Sequence, residues 1–488
     1  MTMSTSRPLE IYMLPFLSFS HMIPLSEIGH LFSSAAQNVT ILTTPHNASS
    51  LLKKTTDSPN FRVQTFPFPA KQVGLPDGLE NFLSAKDIPT ASKLYAAMTL
   101  LQADLESFMI SNPPDVIVSD MFFPWTADFA AKISVPRIVF QGVCMFAQTL
   151  KHEVRKSDSP HHSVESDYEL FVIPNLPHKI TMTRSQLPDY IRTPNGYTQL
   201  MEQWREAELK SYGIIVNNFS ELDSVYTDYY KDATGGKIKI FHVGPTSLLN
   251  SNSNNKMERG HETVVTDNDR LNWLNEKNFN SVIYVCFGSA CVFPDLQLME
   301  IACGLESCGK DFIWVVFGKD EEKDDDMIKW TPSGFYQNVI KTKRGMIVRG
   351  WAPQVLILNH PSVGGFVSHC GWNSVIEAVS CGVPMVTWPL YAEHFYNEKL
   401  LTQVYGIGVE VGAEEWNLWV DSGKKIVRRE KIEEAVRKLM DGEDETVKEM
   451  RRKIEELGDV AKKAVQEGGS SHKNLMVLIE ELKKLRDQ

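Results

Sequence analysis

From Leu9 onward, short apolar runs alternate with longer amphipathic stretches, and no other feature of the chain constrains its fold as much. A run of four to six apolar residues bounded by turn residues reads as a buried strand, and the stretches between such runs are long enough for helices. Repeated, that order gives an α/β fold: parallel sheets wound with helices on both faces. In the first half the expected strands are Glu10–Pro15, Val39–Thr43, Arg62–Pro67, Val116–Ser119, Arg137–Phe140 and Ile214–Asn217, with a long helix over Ile88–Ile110. In the second half they are Val282–Phe287, Phe312–Phe317, Met346–Val348, Gly365–Ser368, Met385–Trp388 and Gly408–Val411. Two sheets of similar size follow.

A chain of 488 residues exceeds what one core normally supports, so two domains of roughly 200–250 residues each are expected. The polar, aperiodic stretch Asn250–His261 reads as a linker, giving a first domain over 1–246, a linker over 247–264, a second domain over 265–470 and a terminal helix over 471–488. The acidic run Asp320–Asp326 invites a metal reading. With Lys323 inside it and no strand leading in, it reads instead as a solvated loop.

Composition removes several classes. A net charge of −11 argues against a nucleic-acid partner. No apolar run approaches the roughly 20 residues of a membrane span. The opening MTMSTSRPLE lacks a basic leader, and seven cysteines without short-spaced pairs are the usage of a reducing compartment. A cytoplasmic monomer is expected, in which the sequons at Asn38 and Asn47 are silent.

The densest chemistry lies in Trp351–His394. Within it the turn His369-Cys370-Gly371-Trp372-Asn373-Ser374 follows the apolar run Val363–Val367 and precedes the helix-like Val375–Ser380, so helix-start amides face whatever leaves the strand end. That arrangement binds phosphate. Trp351 offers a flat face for a base, and Gln354 a donor and an acceptor beside it. His369, Asn373 and Ser374 are neutral or switchable donors suited to a diphosphate. Glu377, four residues after Asn373 and on the same helix face, can accept both ribose hydroxyls. Glu393 and His394, after a further apolar strand, can reach the hydroxyls of a hexose. Taken singly, Trp351, Trp372 and Trp388 read as core aromatics and Glu393 as a loop acid; together the set fits a sugar nucleotide.

This 44-residue stretch closely resembles the signature box of plant family 1 UDP-sugar glycosyltransferases, opening Trp-Ala-Pro-Gln and carrying His-Cys-Gly-Trp-Asn-Ser at its middle, without insertion or deletion. The resemblance extends from about Leu9 to the C-terminal helices. It implies a GT-B fold, two Rossmann-like domains facing across a cleft, with the last helix packing back on the first domain. It also implies inverting transfer of a sugar from a UDP-sugar co-substrate to a small lipophilic acceptor, with no separate cofactor and no metal. Carried over residue by residue, it puts Trp351 on uracil, Ala352 and Gln354 on base and ribose, and Glu377 on ribose. His369, Asn373 and Ser374 fall to the phosphates, with Ser289 in the loop near them. Trp372, Tyr391, Glu393 and His394 line the sugar, and Cys144 lies where relatives line the cleft.

The expected catalytic pair lies in the first half. His21 follows the first strand through the turn Leu17-Ser-Phe-Ser, ahead of an expected helix, and Asp120 ends the strand Val116–Ser119. Both therefore stand at carboxyl ends of parallel strands, where open α/β sheets place their ligands. An imidazole can take the proton of an attacking hydroxyl while a carboxylate behind it fixes the tautomer and stabilises the imidazolium. The family has a catalytic His and Asp at these two points; Ser20 departs from the Gly that many members carry before the His. An oxidoreductase would share the α/β pattern, but the turn LSFSHMIP contains no glycine and so lacks the dinucleotide fingerprint. A noncatalytic sugar-nucleotide binder is the other alternative, disfavoured by the presence of both residues of the pair.

Donor and acceptor are read from the resemblance. The box ends in His394, as in relatives that use UDP-galactose, where glucosyltransferases usually carry Gln. UDP-galactose is the expected donor, with UDP-glucose and UDP-glucuronate as alternatives; Trp372 stands where glucuronate-using relatives can place Arg. Acceptor loops are expected around Pro76–Thr90 and Arg184–Thr198. The expected acceptor is a triterpenoid or triterpenoid glycoside, as in saponin biosynthesis, with a flavonoid as the alternative.

Overall fold

The computed structural model describes residues 7–52, 59–85, 87–249, 267–318, 329–417, 425–442 and 444–488. The acidic run Asp320–Asp326 and the polar stretch Asn250–His261 lie outside the described residues. In chain order the strands of the first half are β1 (Glu10–Leu14), β2 (Asn38–Thr43), β3 (Phe61–Thr65), β4 (Val116–Asp120) and β5 (Arg137–Gln141), then β6 (Leu170–Ile173), β7 (Ile180–Thr183), β8 (Gly213–Val216) and β9 (Lys239–His242). The second half supplies β10 (Val282–Cys286), β11 (Asp311–Val316), β12 (Gly345–Arg349), β13 (Val363–Ser368), β14 (Met385–Thr387) and β15 (Gly408–Glu410).

Each expected strand is present within two residues at either end. The hairpin β6–β7 and the edge strand β9 are additions. The expected helix Ile88–Ile110 divides at Leu101 into Ile88–Leu100 and Gln102–Ser111.

One sheet runs β3-β2-β1-β4-β5-β8-β9 and the other β12-β11-β10-β13-β14-β15, with parallel neighbours throughout, while β6 and β7 pair antiparallel. Central strands such as Val116–Asp120 and Val363–Ser368 are buried at every position, as sheets covered on both faces require. This is the GT-B class of fold, two Rossmann-like domains. In each sheet the strand order reverses once: between β1 and β4 in the first, and between β10 and β13 in the second. Such switch points open the crevice in which doubly wound sheets hold ligands.

The chain forms two compact units, one of Met1–Cys144, Asn195–Asn250 and Lys463–Gln488, the other of Met145–Pro194 and Ser251–Lys462. A continuous first domain over 1–246 therefore needs correction. Residues 145–194 cluster with the second unit because their partners lie there: Thr181 N donates to Gln403 Oε1 (2.9 Å), Ser185 Oγ to the Glu414 carbonyl (2.7 Å), and Trp416 N to the Ser185 carbonyl (2.9 Å). The boundary expected at 470 also moves, to Lys463. In the first unit the helix Ser470–Arg486 packs on β9, placing Leu475, Leu478, Ile479 and Leu482 in one core with Phe241 and Val243. Asn474 Nδ2 adds a hydrogen bond to the His242 carbonyl (3.1 Å).

Candidate active site

At the switch point of the first sheet, β1 and β4 run in register, Leu14 opposite Ser119, and deliver His21 and Asp120 side by side. His21 Nδ1 lies 2.7 Å from Asp120 Oδ2. Asp120 is fully buried, whereas 19% of the His21 side chain remains exposed, so the carboxylate is the anchor and the imidazole the reachable group. Asp120 Oδ1 accepts from Phe122 N (3.2 Å), which leaves its other oxygen aimed at the ring. Phe16 and Phe122 meet the imidazole edge-on at 5.4 Å. His21 lies inside the helix Phe19–Ser34 and not ahead of it as expected; the helix starts before Pro24 and continues through it.

Beneath the ring lies Gly142, just past β5. A Cβ there would stand 2.6 Å from His21 Cε1 and 3.0 Å from Nδ1, so the imidazole occupies the space that any other residue would fill. The turn is held from below, where Gln141 donates to the buried Glu208, which also accepts from Tyr230. Cys144, expected to line the cleft, is fully buried.

At the switch point of the second sheet, β10 and β13 end level, Cys286 opposite Ser368. The turn after β13 passes through Cys370 in the left-handed region (φ 66°), which costs a non-glycine residue energy and must be held. Ser368 Oγ accepts from Cys370 N (3.2 Å) and Asn397 Nδ2 donates to the Cys370 carbonyl (2.8 Å). His369 then sits between two glycines: a Cβ at Gly288 would be 2.6 Å, and one at Gly371 2.5 Å, from its Nε2. Gly288 also has φ 75°, which glycine alone adopts without strain. Burial pushes the His369 imidazole down to about 4, the Cys286 backbone acting the other way, so the ring is neutral near pH 7. The helix after the turn starts at Trp372, with Asn373 and Ser374 in its first turn, and Ser289 follows Gly288 in the adjoining loop.

One amide ties together three of the residues expected at the nucleotide. Gln354 Nε2 donates to Ser374 Oγ (3.0 Å) and to Glu377 Oε2 (2.8 Å), so the residues assigned to base, ribose and phosphate form one hydrogen-bonded group. Trp351, half-buried after β12, meets Phe317 edge-on at 6.3 Å, and Ala352 is buried beside it.

At the other end of the group, Glu393 Oε1 accepts from Trp372 N (3.3 Å) and from Asn397 Nδ2 (3.4 Å), a carboxylate at a helix start where the dipole favours it. His394 is buried, 4.8 Å from His369 ring to ring and 4.6 Å from Tyr391. Tyr391 N donates to His394 Nδ1 (3.3 Å). Burial holds His394 well below its usual value, with His369 acting in the same direction; the neutral ring that accepts at Nδ1 carries its proton at Nε2. Trp372 and Trp388 are both buried, and Trp388 packs edge-on against Phe287 at 5.0 Å, the core aromatic it reads as singly.

His21 and Asp120 thus form one cluster in the first unit, and the expected donor residues gather at one sheet end in the second. The sequence singles out Cys144 and Ser289 but gives no role to the nearby Gly142 and Gly288. Asn397, which pins both Cys370 and Glu393, carries no local signal beyond its helix spacing from Glu393. Among the described residues, no group of three or more His, Cys, Asp or Glu could hold a metal ion, and no helix is long and apolar enough to cross a membrane.

A family model described as UDP-glucoronosyl and UDP-glucosyl transferase matches residues 256–441. The chain is 59% identical over 483 residues to UDP-glucosyl transferase 73CC6 of Saponaria officinalis, covering 98% of each. It is 44% identical to soyasapogenol B glucuronide galactosyltransferase of Glycine max, covering 97% of this chain and 95% of that one. The crystal structure of Glycyrrhiza uralensis UGT73P12 complexed with glycyrrhetinic acid 3-O-monoglucuronide superposes with a TM-score of 0.91 at 42% identity, covering 98% of this chain and 96% of that one. With likeness of that depth over nearly its whole length, the chain belongs to the plant family 1 UDP-glycosyltransferases and is an enzyme of that family.

Proposed function

We propose that the enzyme transfers a hexose, with UDP-galactose the favoured donor, to a hydroxyl of a small lipophilic plant metabolite, a triterpenoid or triterpenoid glycoside. The observation that carries the donor reading is the state of His394: buried, neutral, accepting at Nδ1 and therefore a donor at Nε2. A Gln at the same place donates and accepts at once, which suits equatorial hydroxyls; galactose differs from glucose in an axial hydroxyl at C4. That hydroxyl can accept from Nε2–H while Glu393 accepts from a neighbouring hydroxyl. A buried hydroxyl left unpaired costs about 1–3 kcal/mol, enough for roughly ten- to a hundredfold selectivity.

The reaction assigned to these groups is direct displacement. Asp120 holds the His21 proton on Nδ1, so Nε2 takes the proton of the acceptor hydroxyl as it attacks the anomeric carbon on the face opposite UDP. Helix-start amides at Trp372–Ser374 and the neutral His369 stabilise the departing diphosphate. The C–O bond to UDP breaks as the new one forms, and configuration inverts. Trp351 stacks on uracil, Ala352 and Gln354 bond base and ribose, Glu377 the ribose, and Ser289, Asn373 and Ser374 the phosphates. Trp372, Tyr391, Glu393 and His394 face the sugar. UDP-sugar is a co-substrate, and no resident metal or further cofactor is assigned. Free cysteines throughout suit a cytoplasmic protein, which we take to act as a monomer.

Two relatives support the acceptor class, because the Glycine max enzyme is a soyasapogenol B glucuronide galactosyltransferase and the Glycyrrhiza uralensis enzyme binds glycyrrhetinic acid 3-O-monoglucuronide. A glycosylated lipophile is accordingly the preferred acceptor. The second reading of the donor is UDP-glucose, favoured by the name of the 59% identical relative. Competition between UDP-galactose and UDP-glucose at equal concentration separates the two. Galactose transfer should dominate, and His394→Gln should move the preference toward glucose by about tenfold or more. Glucose winning with the unmodified protein would sink the galactose reading.

A further inference from the structure

Trp416, buried just past β15, touches three residues of the second unit, two of them in the Arg184–Thr198 segment. Its backbone N donates to the Ser185 carbonyl (2.9 Å), and its ring meets Tyr190 edge-on (6.3 Å, 88°). Its indole Nε1 donates to the Ala392 carbonyl (3.0 Å). Asn417 N adds a bond to the Leu390 carbonyl (2.8 Å), so the pair Trp416-Asn417 clamps the chain just before Glu393 and His394.

Ala392 makes that clamp informative. It has φ 48°, in the left-handed region that a residue with a Cβ enters only when its surroundings hold it there. This one residue turns the backbone so that Glu393 reaches Trp372 N and the His394 ring lies under Tyr391 N. The indole bond is made to the carbonyl of this same residue. On the far side, the segment it grips is itself rigid: Ser185 Oγ donates to the Glu414 carbonyl (2.7 Å), and Thr183 and Gln186 close a capping box around it.

We propose that Trp416 is a positioning residue for the donor sugar. It acts as a strut that holds Ala392 in its left-handed turn and so sets where the Glu393 carboxylate and the His394 Nε2–H meet the hexose. The inference rests on the reading that this pair contacts the sugar. It also links donor choice to the Arg184–Thr198 segment, since the strut's other end is Ser185.

Trp416→Phe tests it, because the ring and the backbone bond to Ser185 remain while the Nε1–H is lost. Supporting groups one step removed from a contact typically cost ten- to a hundredfold. The galactose-to-glucose ratio of kcat/KM should therefore change by about tenfold, with UDP binding unaltered and the unfolding transition still cooperative. Ala392→Gly, which adopts the left-handed turn without strain and keeps the acceptor carbonyl, should restore the ratio toward the wild-type value when combined with Trp416→Phe. A purely structural tryptophan would lower the unfolding temperature and leave the ratio alone. If Trp416→Phe keeps the wild-type ratio while His394→Gln shifts it, the strut is overturned by itself. If His394→Gln also leaves it unchanged, the reading of His394 falls and the strut with it.

Discussion

His21 and His369 lie at the switch points of two sheets of the same design, His21 in the helix after β1 and His369 directly after β13, and each is packed against a glycine. Their surroundings then diverge. His21 has a fully buried carboxylate at 2.7 Å and keeps part of its ring exposed. His369 is buried among glycines and backbone, and among the described residues no carboxylate is hydrogen-bonded to it. A carboxylate stabilises the proton an imidazole takes up, whereas burial keeps an unpaired imidazole neutral and leaves it a donor. The same side chain thus meets a buried carboxylate with part of its ring exposed in one unit, which suits a base, and burial without a carboxylate in the other, which suits a neutral hydrogen-bond donor.

The strongest way to break this contrast is to remove the base. His21→Ala should fold, bind UDP with near wild-type affinity and lose on the order of 10²–10⁴ in turnover. Asp120→Asn should lose rate as well, with KM for the donor little changed, since it removes the tautomer lock and not a binding contact. Wild-type turnover of the alanine variant at neutral pH would show that the carboxylate-paired histidine is not the base.

The glycines sharpen the contrast further. In Gly142→Ala the new Cβ needs space now held by His21, so the ring must move off Asp120; a displacement of about 1 Å costs up to roughly 10² in rate. Its effect should fall on kcat. In Gly288→Ala the Cβ meets His369 and the backbone at φ 75° is strained as well, so the effect should fall on UDP affinity, together with about 1–3 kcal/mol of stability. Titration calorimetry with UDP beside steady-state kinetics separates the two. Losses falling on the same parameter in both variants would end the division of labour.

Much of this arrangement is written locally. Each sheet strand is a short apolar run between turn residues, and a strand, glycine-bearing turn and helix in succession at His369–Ser374 carry their own chemistry. Strand ends put His21 and Asp120 on the same side of the sheet, and the family resemblance points to the same two residues. What escaped depends on partners distant in the chain. Residues 145–194 join the second unit through bonds to Gln403, Glu414 and Trp416, none of which changes the look of that segment. Gly142 is an ordinary turn glycine until the fold brings His21 against it. Ala392 carries no mark of its left-handed backbone, since alanine is a poor choice there and only the bonds around it explain its conformation. The start of the first helix was misplaced for a different reason. Pro24 reads as a stop before a helix, yet the helix runs through it, giving up one backbone bond.

The smallest effect concerns pH and follows from the sign of the His369 shift. Its value in the fold is about 4, against about 6.5 for an unfolded chain, so between these limits the unfolded state binds the extra proton. Stability from this group is therefore complete above about pH 6.5 and declines as the pH falls toward 4, with a slope of at most about 1.4 kcal/mol per unit for one proton. His242, held at about 3 by burial in the first unit, contributes in the same direction, whereas the Glu398 carboxyl, raised by burial to about 7, contributes in the opposite one. His369→Gln keeps a neutral donor and removes one titrating group. It should flatten the dependence of denaturation midpoint on pH between 6.5 and 4 by that group's share, while leaving the midpoint at pH 8 nearly unchanged. An unaltered slope would mean that His369 is not the buried neutral ring that separates it from His21.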